Sequence, residues 1–246
     1  MQRTTQEPSE IRAMFSAIAH RYDFLNRVLS LGLDQKWRRL AAQELTASPG
    51  GVVLDLACGT GDLAFKILEV HPGLARVVGS DFSWPMLQIA SLKIEQAKVM
   101  SRLALNMSQA EQLPFKDGVF SGVTVAFGLR NFADRLQALK EIYRVLKPEA
   151  KLVILEFSWP ENRLLRGLYR VYLLRLLPFL AGFISRRSAY RYLPLSVLDF
   201  SQPNDFARLL QQAGFEKVCW RHLSKGVVIL SQGTKVGLRL NLRKEI

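Results

Sequence analysis

The sequence predicts an α/β fold: a doubly wound, mostly parallel sheet of seven strands with helices on both faces. Two observations predict it. Short apolar runs alternate with amphipathic segments at the spacing of strand–helix–strand units. That spacing implies a mostly parallel sheet covered on both faces. The polar residues that punctuate the apolar runs fall at the strands' carboxyl ends, where such sheets hold ligands. Around this core, 51–160 and 198–235, the sequence predicts an N-terminal helical cap over 1–50, an inserted helical lid over 161–197 and a loose basic tail over 236–246. All belong to one domain.

In order, Ser9 is placed to cap a helix carrying Ile11, Met14, Phe15, Ile18 and Ala19 at a 3.6-residue period. A mixed aromatic and polar run, 21–30, follows. Gly32 turns the chain, and Asp34 is placed to cap a helix holding Trp37, Leu40, Ala41 and Leu45. Ser48-Pro49-Gly50-Gly51 breaks the chain before the first strand, 52–57. A Gly-rich turn leads into a helix starting near Asp62. The second strand, 76–79, ends at Asp81; a helix over 83–98 and a strand over 103–107 come next. Gln109 to Phe115 is a loop, Asp117-Gly118 a turn, and 119–127 the fourth strand. A helix over 133–146 stops before Pro148, and 151–157 is the fifth strand. A helix over 204–213 ends at Gly214. Two strands, 216–223 and 227–231, then form an antiparallel hairpin across Lys225-Gly226 at the sheet edge.

The Gly-rich turn carries the chemistry. Gly59 and Gly61 let the backbone approach a ligand closely, Thr60 offers a hydroxyl, and Asp81 stands where a ribose diol is held. The run 59–64 satisfies G-x-G-x-x-A, so a dinucleotide is one candidate. Asp62 in the first helical turn opposes it, because a carboxylate there repels a pyrophosphate. Asp55 adds a second negative group. A cationic nucleoside without phosphates, such as S-adenosylmethionine, suits this mouth better.

Charge and composition narrow the classes. Of the net +13, residues 1–150 hold 18 basic against 15 acidic groups, and residues 151–246 hold 16 against 6. No acidic residue lies between Asn162 and Leu198, while seven arginines do (163, 166, 170, 175, 186, 187 and 191). They are set among Leu, Tyr and Phe, which favours helices lying on an anionic bilayer over nucleic acid. Their recurrence, with Pro178 and Gly182, rules out a membrane span. The polar N-terminus does not read as a signal peptide. Two cysteines cannot make a disulfide framework, so a reducing compartment is expected. Cys58 reads as a small strand-end residue, not a nucleophile, and three histidines without ligand spacing predict no metal.

Several motifs together resemble the quinone-biosynthesis C-methyltransferases, which act on demethylmenaquinol and polyprenyl methoxybenzoquinol. They are Tyr22-Asp23-Phe24-Leu25-Asn26 with Leu29-Ser30 and Trp37; Phe127-Gly128-Leu129-Arg130-Asn131; Arg144-Val145-Leu146-Lys147-Pro148 running to Leu155-Glu156-Phe157-Ser158; and Tyr192-Leu193-Pro194 with Ser196-Val197. The resemblance spans about 14–233. It implies a class I, Rossmann-like methyltransferase fold, S-adenosylmethionine as methyl donor and a prenylated quinol as acceptor. It also implies a cytoplasmic protein at the inner face of the membrane, and it leaves room for a homodimer. The family's cofactor contacts fall on Thr60, Asp81, Gln109, Ala110 and Ala126. Gln109 replaces the commoner Asn or Asp, Ala126 a common Ser, and Pro148-Glu149-Ala150 a Pro-Gly-Gly turn.

For the chemistry, a quinol carbon becomes nucleophilic when a ring hydroxyl loses its proton, so a cation for the oxyanion and a proton path are needed. Arg130 is expected to hold the oxyanion or a water, and Asn131 to orient the ring, with Tyr22 and Asp23 (facing the ligand from the N-terminal cap) and Tyr192 as secondary candidates. Competing readings are a nicotinamide-dependent oxidoreductase, an RNA methyltransferase and a binding protein with a vestigial pocket.

Overall fold

The computed structural model describes residues 8–176, 196–197 and 203–237. Tyr192, Arg186, Arg187, Arg191, the second half of the predicted lid and the tail from Leu238 lie outside the described residues. The elements, in chain order, are α1 (Pro8–Leu29), α2 (Leu33–Glu44), β1 (Val52–Leu56), α3 (Asp62–Val70), β2 (Arg76–Asp81), α4 (Trp84–Gln96), β3 (Leu103–Met107), β4 (Phe120–Ala126), α5 (Arg135–Val145), β5 (Leu146–Phe157), α6 (Arg163–Val171), α7 (Pro203–Gln212), β6 (Glu216–Leu223) and β7 (Val228–Thr234).

The seven strands form one sheet in the order β3-β2-β1-β4-β5-β7-β6. The first five run parallel, and β7 pairs antiparallel to both β5 and β6. Alternation along the strands assigns two cores. Leu54, Val123, Leu152 and Ile154 face α5 and α7 through Leu139, Ile142, Phe206 and Leu210. Val53, Val77, Val153 and Leu155 face α2 and α3 through Trp37, Ala41, Ala64 and Ile67. Both faces are therefore covered, as a parallel sheet requires. The chain winds β1 to β3 towards one edge, then starts the other way with β4. The carboxyl ends of β1 and β4 thus flank the topological switch point.

Four expectations change. The mixed run after Ala19 continues the first helix, because Tyr22, Leu25 and Leu29 keep one face inward at helical spacing. Ser9 consequently lies inside α1 rather than capping a later start. Asp34 does not cap α2 either; Gly32, in the left-handed region (φ 76°), holds that position. Asp34 sits inside the first turn, buried and paired with Arg38 four residues on. And β5 begins at Leu146, so the Pro148-Glu149-Ala150 stretch lies within the strand. Glu149 there takes φ 62°, the conformation a glycine would adopt at lower cost.

The N-terminal helices play different parts. α2 packs on a face of the sheet, not along its edge. α1 lies across the switch point, against α4 and α2. A third, smaller cluster ties α1 to the chain after α6: Ile18 and Leu25 meet Leu173 and Val197.

Candidate active site

At the switch point, β1 runs into a loop whose turn demands unusual backbone. Ala57 (φ 55°) and Gly59 (φ 55°) are left-handed, and Gly61 (φ 87°) starts α3. The Gly59 N–H donates to Asp81 Oδ2 at 2.8 Å, and the Ser83 N–H to Asp81 Oδ1 at 2.8 Å. Asp81 thus ties the loop to the end of β2. A Cβ on Gly59 would meet nothing nearer than the Tyr22 ring, 3.9 Å away. The ground between loop and Tyr22 is open.

That ground is a cavity of about 250 Å³. Five of the residues singled out as ligand contacts line it: Gly59, Asp81, Gln109, Ala110 and Ala126, and Tyr22 and Asn131 reach it from the side. Sequence reasoning missed Phe82, Met86 and Phe132, which give the cavity its apolar walls. Phe82 stands directly after Asp81, a position that could have drawn notice. The other two emerge only from packing.

The remaining predicted contacts lie behind the wall. Thr60 is buried and donates to Asp23 Oδ1 at 2.5 Å. Asp23 Oδ2 meets Lys93 Nζ at 2.6 Å, and the same ammonium meets Asp62 Oδ1 at 2.7 Å. Arg27 reaches Asp62 from α1 at 3.4 Å. These groups clamp α1 onto α3 and α4. Thr60, Gly61 and Asp23 line neither cavity, and Thr60 and Asp23 join the loop to α1 beside them. Burial would raise the Asp62 carboxyl, but Lys93, Arg38 and Arg27 outweigh it and hold it below the usual carboxylate range. The repulsion of a pyrophosphate argued from Asp62 is therefore largely cancelled by Lys93 and Arg27.

Asp55 is 1% exposed. Its Oδ1 accepts from Thr124 Oγ1 at 2.7 Å, while its Oδ2 is buried with no partner. Burial pushes its carboxyl up to about 7, against the Thr124 hydrogen bond and the Arg38 charge. It stands one residue before Leu56, which lines the cavity floor.

A second, more apolar cavity of about 120 Å³ adjoins the first. Its walls come from α1 (Ile18, Leu25), α2 (Trp37, Arg38), the ends of β4 and β5 (Phe127, Phe157) and α6 with the following π-helical turn (Tyr169, Tyr172). Arg130 lines this cavity and not the first. It is 7% exposed and pairs with the fully buried Glu156, Nη1 to Oε1 at 2.6 Å. The same Nη1 donates to the Phe127 carbonyl at 2.5 Å, and its Nε is buried without a partner. Burial raises the phenols of Tyr22, Tyr169 and Tyr172, so all three stay protonated at neutral pH and can donate hydrogen bonds.

Three residues, Phe15, Tyr22 and Phe127, line both cavities and form the partition between them. Phe127 is left-handed (φ 58°), a costly state for a bulky residue that persists only where surroundings enforce it. Its N–H donates to the Leu155 carbonyl at 2.7 Å, and its ring packs on Phe157 with centroids 4.6 Å apart. Next to it, a Cβ on Gly128 would come within 2.5 Å of the Ala57 Cβ, so only glycine lets the β1 and β4 ends close up here. Cys58, between the two strand ends in sequence, has its thiol pushed well up by burial and by Asp81 and Asp55, which suits a packing role.

Comparison with known proteins is consistent across the chain. The model of the ubiE/COQ5 methyltransferase family matches residues 2–235. The chain is 48% identical over 223 residues to a demethylmenaquinone methyltransferase of Thermus thermophilus, covering 90% of this chain and all of that one. It is 41% identical over 235 residues to the ubiquinone/menaquinone biosynthesis C-methyltransferase UbiE of Geotalea uraniireducens, covering 96% of this chain and 100% of the relative. Among solved structures, an S-adenosylmethionine-dependent methyltransferase from Aquifex aeolicus superposes with a TM-score of 0.59 at 18% identity, covering 94% of this chain and 100% of that one, which establishes a shared fold.

Proposed function

The chain belongs to the ubiE/COQ5 methyltransferase family, and from that premise we propose how its two cavities divide the reaction. It is an S-adenosylmethionine-dependent C-methyltransferase of quinone biosynthesis, acting on the ring of a prenylated quinol. The first cavity takes the cofactor and the second takes the acceptor ring. The observation that carries this division is the shared partition of Phe15, Tyr22 and Phe127.

The residues of the first cavity fit the cofactor. Asp81, at the tip of the strand next to the Gly-rich loop, suits a ribose diol. Phe82, Met86 and Ala110 offer an apolar slot for a flat base, with Gln109 at its edge. A cationic ligand above Asp55, whose carboxyl is raised to about 7, favours loss of its proton and is then met by negative charge. Bound there, S-adenosylmethionine supplies an electrophilic methyl group on a sulfonium.

In the second cavity, apolar walls exclude water and hold the acceptor ring against the partition. Arg130, with Glu156 fixing its guanidinium, stabilises the ring oxygen as its proton leaves. Tyr22, held protonated, donates to the same oxygen, and Asn131 orients the ring edge from the cofactor side. The net transfer breaks the sulfur–methyl bond, leaving a neutral thioether, forms one carbon–carbon bond, and releases the displaced ring hydrogen as a proton.

A membrane surface is the source of such an acceptor. α6 exposes Leu164, Leu168 and Val171, with Leu174 just beyond, beside Arg163, Arg166 and Arg170. The end of α1 exposes Phe24, Val28 and Leu31 nearby, since the Tyr172 hydroxyl donates to the Leu29 carbonyl at 2.5 Å. This apolar, basic rim suits an anionic leaflet. Among the described residues no helix is long and apolar enough to cross a membrane. The protein then works at the inner face, in the reducing compartment that two free cysteines allow. The test is incubation with methyl-labelled S-adenosylmethionine and a reduced, prenylated quinol lacking the ring methyl. Label on a ring carbon is expected; cofactor binding without ring labelling would refute the acceptor assignment.

A further inference from the structure

The acceptor cavity holds two guanidinium groups, and the mechanism above uses only Arg130. The other is Arg38 on α2, 6% exposed and lining the same cavity. Among the described residues its one hydrogen-bond partner is Asp34, Nη1 to Oδ2 at 3.2 Å, although an arginine has five N–H donors. Arg130 is also undersupplied, since its Nε is buried without a partner.

The two groups are arranged about one stack of rings. The Arg38 Cζ lies 5.3 Å from the centre of the Phe127 ring. Phe127 and Phe157 are 4.6 Å apart, centre to centre. The Arg130 Cζ lies 5.4 Å from the centre of Phe157. Two cations thus bracket a pair of packed aromatic rings along a single apolar wall. The Tyr22 phenol, on the partition, feels both: Arg38 and Arg130 each draw it down against the effect of burial. Burying two forked donors beside apolar surface is unfavourable unless acceptors meet them. Asp34 and Glu156 offset the charges but leave donors over. A flat ring with oxygens on opposite sides offers both arginines an acceptor at once, whereas a ring with one oxygen leaves one fork unmet.

We propose that Arg38 contacts the acceptor directly, taking the ring oxygen opposite the one held by Arg130, and thereby makes the enzyme selective for rings bearing two oxygens. This deepens, and rests on, the reading of the second cavity as the acceptor site. Arg38 is then a specificity-determining residue that acts mainly by charge-assisted hydrogen bonding to the oxygen that does not ionise.

The test compares kcat/KM for a short-chain prenylated 1,4-quinol with that for the matching monophenol, using the full chain saturated with S-adenosylmethionine. Wild type should favour the quinol by about tenfold to a hundredfold, the cost of leaving a buried donor unpaired. Arg38→Met should lose about that factor on the quinol, mostly in KM, and stay within about twofold on the monophenol. Arg38→Lys should fall between, because an ammonium keeps the charge but not the fork. Equal losses on both acceptors, or an unchanged ratio in either variant, would overturn the Arg38 role alone. A wild type indifferent to the second oxygen would overturn it without any variant, which covers the case of Arg38→Met failing to fold. A wild type that binds S-adenosylmethionine in calorimetry yet methylates neither acceptor would overturn the acceptor-site reading and the Arg38 role together.

Discussion

The two adjoining cavities are built in opposite ways. The cofactor cavity is assembled from strand ends and the residues just after them: Gly59 after β1, Asp81 at the end of β2, Gln109 after β3, Ala126 at the end of β4. Parallel strands bring these together by a repeating rule, so each contact is local in sequence to a strand terminus. The acceptor cavity is assembled from α1, α2, the β4 and β5 ends and the chain after α6. Its residues run from Met14 to Val227 and obey no single spacing. Its polar groups are also ion pairs, Arg38 with Asp34 and Arg130 with Glu156, where the cofactor side holds Asp81 by the backbone N–H groups of Gly59 and Ser83 and Asp55 by the Thr124 hydroxyl. A site held by backbone geometry tolerates change in its neighbours. One held by buried ion pairs fails when either partner is lost.

Removing one partner of a pair breaks that contrast most sharply. Glu156→Gln leaves Arg130 charged and uncompensated in a buried place, which costs about 3–5 kcal/mol of stability. Chemical unfolding should show that loss, while the folded fraction still binds S-adenosylmethionine with near wild-type affinity by calorimetry. A collapse of cofactor affinity would mean the two cavities are not separable.

A pH experiment probes the cofactor side. The Asp55 carboxyl is raised to about 7 in the folded chain from an ordinary 3.8. The folded state therefore holds a proton that the unfolded state has released between those values, so stability falls as pH rises through that window. Asp55→Asn should remove the fall and be roughly 2–4 kcal/mol more stable than wild type at pH 8, with little difference at pH 4. Urea titrations at both pH values check it; parallel curves for the two proteins would contradict the assignment.

Asp81→Asn addresses the cofactor cavity alone. Weakening the hydrogen bonds to a ribose diol should cost about 1.5–3 kcal/mol, so affinity for S-adenosylmethionine drops about tenfold to a hundredfold. The melting temperature of the ligand-free protein should move far less than in Glu156→Gln. The smallest effect is expected outside both cavities. Leu168→Asp on α6 removes one exposed apolar contact from the basic rim and should weaken binding to anionic vesicles by about 1 kcal/mol. Turnover of a detergent-dispersed short-chain acceptor should be unchanged.

Much of this was legible beforehand, and the exceptions are instructive. The mostly parallel sheet follows from alternating strands and helices, the places of Gly59, Asp81 and Gln109 follow from the strand ends, and Ala110 and Ala126 came from the family resemblance. Thr60 and Asp23 were legible as important but not as partners of each other. Their hydrogen bond joins residues 37 apart in the chain. Asp34 carries a good capping residue's signature, but α2 already starts from a left-handed glycine, and Arg38 one turn on claims the carboxylate. Arg130 was expected to hold the oxyanion or a water. Glu156, named only within a motif, neutralises it, and nothing in the spacing of 130 and 156 announces that contact.

The sequence by itself determined the sheet, its winding and the cofactor mouth, because burial on two faces and glycine's backbone freedom write themselves as local patterns. Only the tertiary structure decided which buried cations share a wall, which carboxylates neutralise them and which three side chains stand between the two cavities. Those contacts depend on the crossing of α1 and α2 over the strand ends. Side chains brought together by such a crossing are close in space with no periodicity to mark them along the chain.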